Sequence, residues 1–296
     1  SAACAQDPPP QVSTQQRGGT YVEPPAQVDP VYTPQPIRTE PAAREGHGLS
    51  LVLALELPLR SGGSASAGRG TQGSTAVSPT LQARLRWMPV ADAFWFAQVV
   101  FHRYLRGDRQ QPWHPDFSYA FGWDDWRPHT WSFFYANYTG TRFSPDANEG
   151  RFNFPQGQYT LRYNYLLPAA LAPLLLVGDG DAAACNAALN LRPRYVDARD
   201  GSLRPVRTSL STGCRYARPE GWYAQFALFA YPEGDKQQPW DPDYTYGFGW
   251  EDPSPHGGLS LGYNNYSGNR FPGRARGPGE GTFRSGSITL AWKLAW

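Results

Sequence analysis

Hydrophobic and polar residues alternate along most of the chain from residue 48 onward. In the first such segment leucine occupies every second position: Leu49, Leu51, Leu53, Leu55, Leu57 and Leu59. A period of two is that of a β-strand whose two faces meet different surroundings. The pattern therefore predicts a strand over 49–59 with one strictly apolar face.

The same alternation recurs along the rest of the chain and predicts an all-β protein of about twelve strands. We expect them at 49–59, 80–88, 94–104, 116–124, 130–139, 157–167, 184–194, 208–217, 222–231, 243–251, 258–267 and 286–296. Most are about ten residues long, the length that a tilted strand needs to cross the hydrocarbon of a bilayer.

The chain also repeats itself. Residues 107–116 resemble 234–243, 121–125 resemble 248–252, and 137–143 resemble 265–271. The spacing is nearly constant, which predicts two units, 48–168 and 183–296, with six strands each. Together they form one domain over 47–296.

The segment before the first strand has a different character. Residues 6–46 are rich in Pro, Gln and Thr and lack hydrophobic periodicity, so they are expected to form an extended or disordered arm. A passive linker is the favoured interpretation, with a periplasmic tether or a plug of the lumen as alternatives. Residues 1–5 contain Ala3, Cys4 and Ala5 and are interpreted as the remnant of a cleaved secretory signal, with a lipid anchor at Cys4 as the alternative.

The two faces of the predicted strands differ in size and polarity. One face carries large apolar and aromatic side chains, such as Trp95, Phe121 and Phe133, and the other carries small or polar ones, such as Ser118 and Thr160. A large aromatic face opposite a small polar face suits a barrel with lipid outside and a polar lumen. A soluble β-sandwich or propeller, which would bury the apolar face, is the alternative.

Composition narrows the classes further. The chain of 296 residues is 15% aromatic and only 18% charged, which is unlike a coiled coil or a disordered chain. The longest apolar run, 168–177, is far shorter than the roughly 20 residues of a membrane-spanning helix. A net charge of +2 gives no reason to expect a nucleic-acid partner.

The last predicted strand carries the most specific signal. Ile288, Leu290, Trp292, Leu294 and Trp296 alternate up to a final aromatic residue. This resembles the C-terminal strand of Gram-negative outer-membrane β-barrel proteins, and in size and strand number the chain resembles their small twelve-stranded monomeric channels. The resemblance implies a closed antiparallel barrel in outer-membrane lipid, a periplasmic arm, and Trp296 as the signal for the barrel-assembly machinery. Phe is the usual residue at that last position.

Loop lengths and tryptophans fit that topology. The connections after strands 2, 4, 8 and 10 are short, and most of those after odd-numbered strands are longer, which places the short turns at the periplasmic side. Seven tryptophans then fall near the periplasmic ends of strands: Trp87, Trp95, Trp123, Trp131, Trp222, Trp250 and Trp296. A band of indoles at one depth is typical of the aromatic girdle of a membrane protein.

The inward positions predict a basic lumen. They include six cations, against few acids such as Glu56, Asp124 and Glu251, and also the amides Gln98 and Gln225. The cations are Arg84, Arg86, Arg162, Arg192, Arg215 and Lys293. A basic lumen favours a channel for small anionic or saccharide solutes. If the arginines instead pair with the acids, the barrel is a closed anchor or accessory of a surface-polymer, exopolysaccharide or fibre export assembly.

The repeated loop motif is a second candidate site. Asp108 and Trp113 in the first copy correspond to Asp235 and Trp240 in the second. Two equivalent surface loops suit binding of a cell-surface partner, and the Pro-rich arm would suit a periplasmic protein partner, but the same Pro and Trp residues of the loops would also stiffen a loop. Both interpretations stay open here.

Little in the sequence indicates catalysis. No His-x-Ser arrangement accompanies the five histidines, and no calcium-loop frame accompanies the loop aspartates, so neither an enzyme nor a cofactor or metal is expected. Cys185 and Cys214 fall on adjacent predicted strands at outward positions, which predicts a cross-strand disulfide in an oxidising compartment.

Overall fold

The computed structural model describes the strands and most of their connections. The described residues are 48–59, 79–90, 94–106, 115–125, 127–138, 141–144, 152–167, 176, 178, 180–197, 200–238, 241–254, 257–266, 269–274 and 282–295. The predicted signal remnant, the Pro-rich arm, Asp108, Trp113, Trp240 and Trp296 all lie outside these ranges, so those predictions stay as they are.

Twelve strands form within the described residues. They are β1 (Gly48–Pro58), β2 (Thr80–Met88), β3 (Trp95–Tyr104), β4 (Phe117–Trp123), β5 (Trp131–Asn137), β6 (Gln158–Leu166), β7 (Ala182–Val196), β8 (Leu203–Ala217), β9 (Trp222–Ala230), β10 (Tyr244–Glu251), β11 (Gly257–Asn265) and β12 (Ser287–Ala295). All boundaries fall within two residues of the predicted ones, except the beginning of β8.

The sheet closes on itself. Each strand pairs antiparallel with its neighbours in the sequence, and β1 pairs with both β2 and β12. Leu51, for example, lies opposite Leu85 on one side and Leu294 on the other. The predicted closed antiparallel barrel is confirmed, and the alternative of a two-sheet sandwich is wrong for this chain.

The hairpin of β7 and β8 extends beyond its neighbours. Each of its strands has 15 residues, whereas β6 and β9 have nine. The prediction placed a long loop between residues 194 and 208, but the structure continues the ladder through Tyr195 opposite Arg204 to a short turn. Pro193 and Pro205 can be accommodated because no further strand flanks this part of the hairpin.

The two ends of the barrel differ in their connections. We call the end with the β2–β3, β4–β5, β8–β9 and β10–β11 connections the turn end, and the opposite one the loop end. Trp87, Trp95, Trp123, Trp131 and Trp222 lie at the turn end with their side chains exposed, and Trp95 lies directly opposite Trp123. The indoles therefore form a level at one end of the barrel.

The apolar side chains cover the outside of the barrel. Leu81, Phe133 and Trp292 have 45%, 53% and 49% of their surface exposed, and many other large outward side chains are similar. Water would be a poor solvent for such a continuous apolar surface, whereas lipid is a good one. Among the described residues no helix has the length and apolarity that a membrane-spanning helix requires.

Candidate functional site

The barrel interior brings most of the predicted lumen residues to one surface. Strand alternation turns nine of them inward: Glu56, Arg84, Arg86, Gln98, Arg162, Arg192, Arg215, Gln225 and Lys293. Their surroundings differ, since Arg162, Arg192 and Arg215 are buried, Arg84 and Gln225 are half-buried, and Lys293 is exposed.

Arg86 and Arg162 share one carboxylate at the turn end. Arg86 Nη2 lies 2.8 Å from Asp124 Oδ2, and Arg162 Nη2 donates to the other oxygen of Asp124 and lies 3.2 Å from Ser132 Oγ. Asp124 follows directly after β4 and is buried. Burial alone would raise the pKa of its carboxyl, but Arg162 and Arg86 outweigh burial and hold that pKa below its usual value.

The second half of the barrel contains a related unit. Arg215 Nη2 lies 2.7 Å from Glu251 Oε2, and the guanidinium carbon lies 4.1 Å from the ring centre of Tyr223. Arg86 stacks in the same way, 4.4 Å from the ring centre of Phe96. The repeat thus places an arginine between an aromatic ring and an acid twice, on the second, third and fourth strands of each unit.

The two units differ in their third partner. The position of Arg162 corresponds to Ala291, so Glu251 receives one guanidinium where Asp124 receives two. Accordingly, 44% of the Glu251 side chain is exposed, compared with 6% for Asp124. The acid of the second half therefore remains accessible to solvent.

Pairing reduces the predicted positive charge of the lumen. Arg86, Arg162 and Arg215 are held by Asp124 and Glu251, which is the arrangement that the closed-barrel alternative required. Other inward polar groups bond across strands: Gln82 Nε2 and Ser287 Oγ both donate to Glu56, and Gln225 Nε2 donates to Asn264 Oδ1 at 3.1 Å.

At the loop end, a buried carboxylate ties two connections together. Asp243 accepts hydrogen bonds from Gln237 Nε2 at 2.9 Å, Arg270 Nη1 at 3.1 Å, Phe271 N–H at 3.0 Å and Arg274 Nη1 at 2.8 Å. Burial opposes ionisation of Asp243, but these bonds outweigh it and hold its pKa below the usual range.

The first half repeats this clamp. Asp116 accepts from Arg142 Nη1 at 3.1 Å and from the Phe143 N–H at 3.0 Å. The repeated 137–143 and 265–271 segments, which have no obvious chemistry in the sequence, supply the arginine and amide donors. Their local role is therefore to fix the connections at the loop end.

The described part of the second loop motif is tied into the same clamp. Asp235 is exposed in a helical turn, Gly234–Lys236, while Gln238 is buried and donates through its side chain to the Lys236 carbonyl at 2.9 Å. These contacts fit the loop-stiffening interpretation for this copy. A partner that binds the motif stays a prediction.

The predicted disulfide is present. Cys185 and Cys214 lie directly opposite each other on β7 and β8, and a Sγ–Sγ bond joins them. The bond lies on the outward face of the hairpin, near the turn end of the barrel.

One interior pair was missed by the sequence reasoning. His102 Nε2 lies 3.1 Å from Ser118 Oγ, and both residues are buried on neighbouring strands. No short motif contains both residues, because the β3–β4 register brings them together across the sheet. Only knowledge of that register could have revealed this pair, and the same holds for the Arg86–Asp124 pair.

Comparisons with known proteins give low similarity. No protein-family model matches the chain, and no curated protein matches it. A NanC porin structure is 9% identical with a TM-score of 0.39, covering 84% of this chain and 98% of its own. The crystal structure of an outer-membrane channel from Pseudomonas putida F1 is 10% identical with a TM-score of 0.38, covering 85% of this chain and 96% of its own. At these values, the function has to be argued from this chain's own residues.

Proposed function

We propose that the protein is an outer-membrane channel that passes small hydrophilic solutes, anionic or saccharide, through the barrel. The observation that carries the proposal is the reversal of polarity across a closed sheet, with exposed leucines and aromatic residues outside and arginines, amides and hydroxyls inside. A soluble protein would bury the first set, and only a barrel in lipid leaves both faces satisfied.

The test is single-channel recording in a planar bilayer with the full chain refolded in detergent. We expect steady current, and we expect Arg84→Gln to shift the reversal potential in a salt gradient towards cations, because Arg84 faces the lumen and is half-buried. Arg204→Gln is the matched control, since Arg204 lies on the β7–β8 extension and pairs with Asp200. Folded, heat-modifiable protein that carries no current would contradict the channel.

A closed structural barrel is the second candidate. The ion pairs of Asp124 and the tightly packed interior of the first repeat favour it. In that case the protein would anchor or assist an assembly that exports a surface polymer or fibre, and the Pro-rich arm would contact a periplasmic partner. Absence of current together with co-purification of such a partner would support this candidate.

A further inference from the structure

The two halves of the barrel fill their interiors to different extents. In the first half Phe96, Ala120, Phe134 and Ala136 form an apolar cluster inside the sheet, with Phe96 and Phe134 packed edge to face at 6.2 Å between ring centres. The position of Phe134 corresponds to Gly262 in the second half. The ring that corresponds to Phe96, Tyr223, has its hydroxyl so close to Gly262 that a Cβ there would lie 2.3 Å from it.

Two pairs of equivalent inward positions show the same asymmetry. Gln98 is 5% exposed and Ser132 is completely buried, whereas their counterparts Gln225 and Ser260 are half-buried. The neighbouring strands β8, β12, β1 and β2 also carry half-buried inward side chains, while the inward residues of β7 from Ala184 to Arg192 are buried. Since these side chains point into a closed barrel, their exposed area must face a space inside it.

Part of the charge on the open side is paired. Glu251 pairs with Arg215 on β8. Arg84, Lys293 and Glu56 also face this side, and Arg162 belongs to the packed side. Between the charges the wall presents amides and hydroxyls, from Gln225, Asn264, Ser260 and Thr289. Amides and hydroxyls hydrogen-bond to uncharged hydroxyl groups, and the pairing of Glu251 with Arg215 leaves only a small excess of positive charge to attract anions.

We infer that the solute path is eccentric, running along the wall of β8–β12, β1 and β2, and that it takes uncharged, hydroxyl-rich solutes. The inference rests on the proposed channel function. It narrows that function to one of its two solute classes, and it assigns the path to the second repeat after β7 and to the first two strands of the first repeat. Gln225 and Asn264 line the path, and the arginine pair on Asp124 supports the packed side.

Matched cysteine variants test the path in detergent, without requiring conduction. Gln98→Cys and Gln225→Cys are introduced separately into a Cys4→Ser background, in which the other two cysteines form the disulfide. A charged methanethiosulfonate reagent should modify residue 225 at least about tenfold faster than residue 98, because burial slows thiol reactions. Ser132→Cys and Ser260→Cys form a second pair if a glutamine variant does not fold. Equal rates, or faster reaction in the first half, would overturn the eccentric path.

Bilayer recording tests the solute class. In a potassium chloride gradient the reversal potential should show only a weak preference for anions, and modification of residue 225 with a bulky reagent should reduce the current while modification of residue 98 should not. Strong anion selectivity would overturn the inferred solute class. Absence of any current would overturn the proposed channel function, whereas the labelling rates would still decide where the open side lies.

Discussion

Inside the barrel, single charged side chains are held by partners from other strands. Asp124 binds Arg86 from β2 and Arg162 from β6, and its side chain is almost completely buried. Charges in such surroundings are costly unless each is paired. The pairing therefore makes this carboxylate a support for the packed side of the interior.

Asp124→Asn should destabilise the barrel by about 3 kcal/mol, because two guanidinium groups lose their charged partner in a buried place. The measurement is the urea midpoint of unfolding in detergent micelles. Glu251→Gln is the matched control: Glu251 has one guanidinium partner and an exposed side chain, so water can replace part of the interaction and the loss should be smaller. An equal loss in the two variants would contradict this account.

Sequence reasoning predicted which residues point inward but not which of them meet. Alternation alone gives the face of Arg86 and Arg215. The acid that pairs with Arg86 lies 38 residues further along the chain, and the acid that pairs with Arg215 lies two strands away. Both partners therefore follow only from the register of the strands. For this reason the sequence predicted a basic lumen, whereas the structure pairs several of its arginines with acids.

Among the elements, the connections at the loop end are fixed by carboxylates rather than by regular structure. Asp243 joins the β9–β10 connection to the segment after β11. In the same way, Asp116 joins the β3–β4 connection to the segment after β5. Two copies of one clamp explain why these segments are the most similar parts of the repeat.

Asp243→Asn should loosen the segment after β11. Trypsin should then cleave after Arg274 several-fold faster, because an amide is a weaker acceptor than the carboxylate for the Arg270 and Arg274 donors. The control is Asp235→Asn. Asp235 is an exposed aspartate of the β9–β10 connection, which also contains Asp243, and its substitution should leave the cleavage rate unchanged. Unchanged cleavage in Asp243→Asn would show that the clamp is unimportant.

The same clamp should depend on pH. Because the folded state lowers the pKa of Asp243, its stabilisation is fully present above the ordinary value of 3.8 and is lost as the pH falls through the lowered value. Acidification should therefore reproduce the effect of Asp243→Asn, which hydrogen exchange at the Phe271 amide would detect.

Element boundaries were predicted well except at the beginning of β8, beside Pro205. The long loop expected before residue 208 is the extension of β7 and β8, with Pro205 inside a strand. Proline usually interrupts a ladder because it lacks a donor. It is tolerated here because the extension has no neighbour on that side, and only the three-dimensional arrangement reveals this.

Over the whole molecule, the tryptophans lie at different distances from the turn end of the barrel. The tryptophans at the turn end mark one level, and Trp292, opposite Leu53 and Leu259, lies nearer the middle of the sheet. If this surface faces lipid, the two groups should sense different depths of a bilayer.

Brominated lipids test this arrangement. Quenching of tryptophan fluorescence by bromines deep in the acyl chains should decrease more in Trp292→Phe than in Trp95→Phe. Quenching by bromines near the headgroup should decrease more in Trp95→Phe than in Trp292→Phe. The protein must first be shown to be folded in vesicles by its heat-dependent migration on a gel. Identical losses for both bromine positions would contradict a membrane-spanning barrel.

Glu56 shows what the circular order of strands demands of the folding chain. Its carboxylate accepts one hydrogen bond from a residue 26 positions away and another from a residue 231 positions away. Closing the longer loop costs about 2 kcal/mol more chain entropy than closing the shorter one. The seam between the first and last strands is therefore expected to form last, and until it does both edge strands can pair with other chains. We therefore expect the unclosed chain to aggregate unless its edge strands are covered until the seam forms.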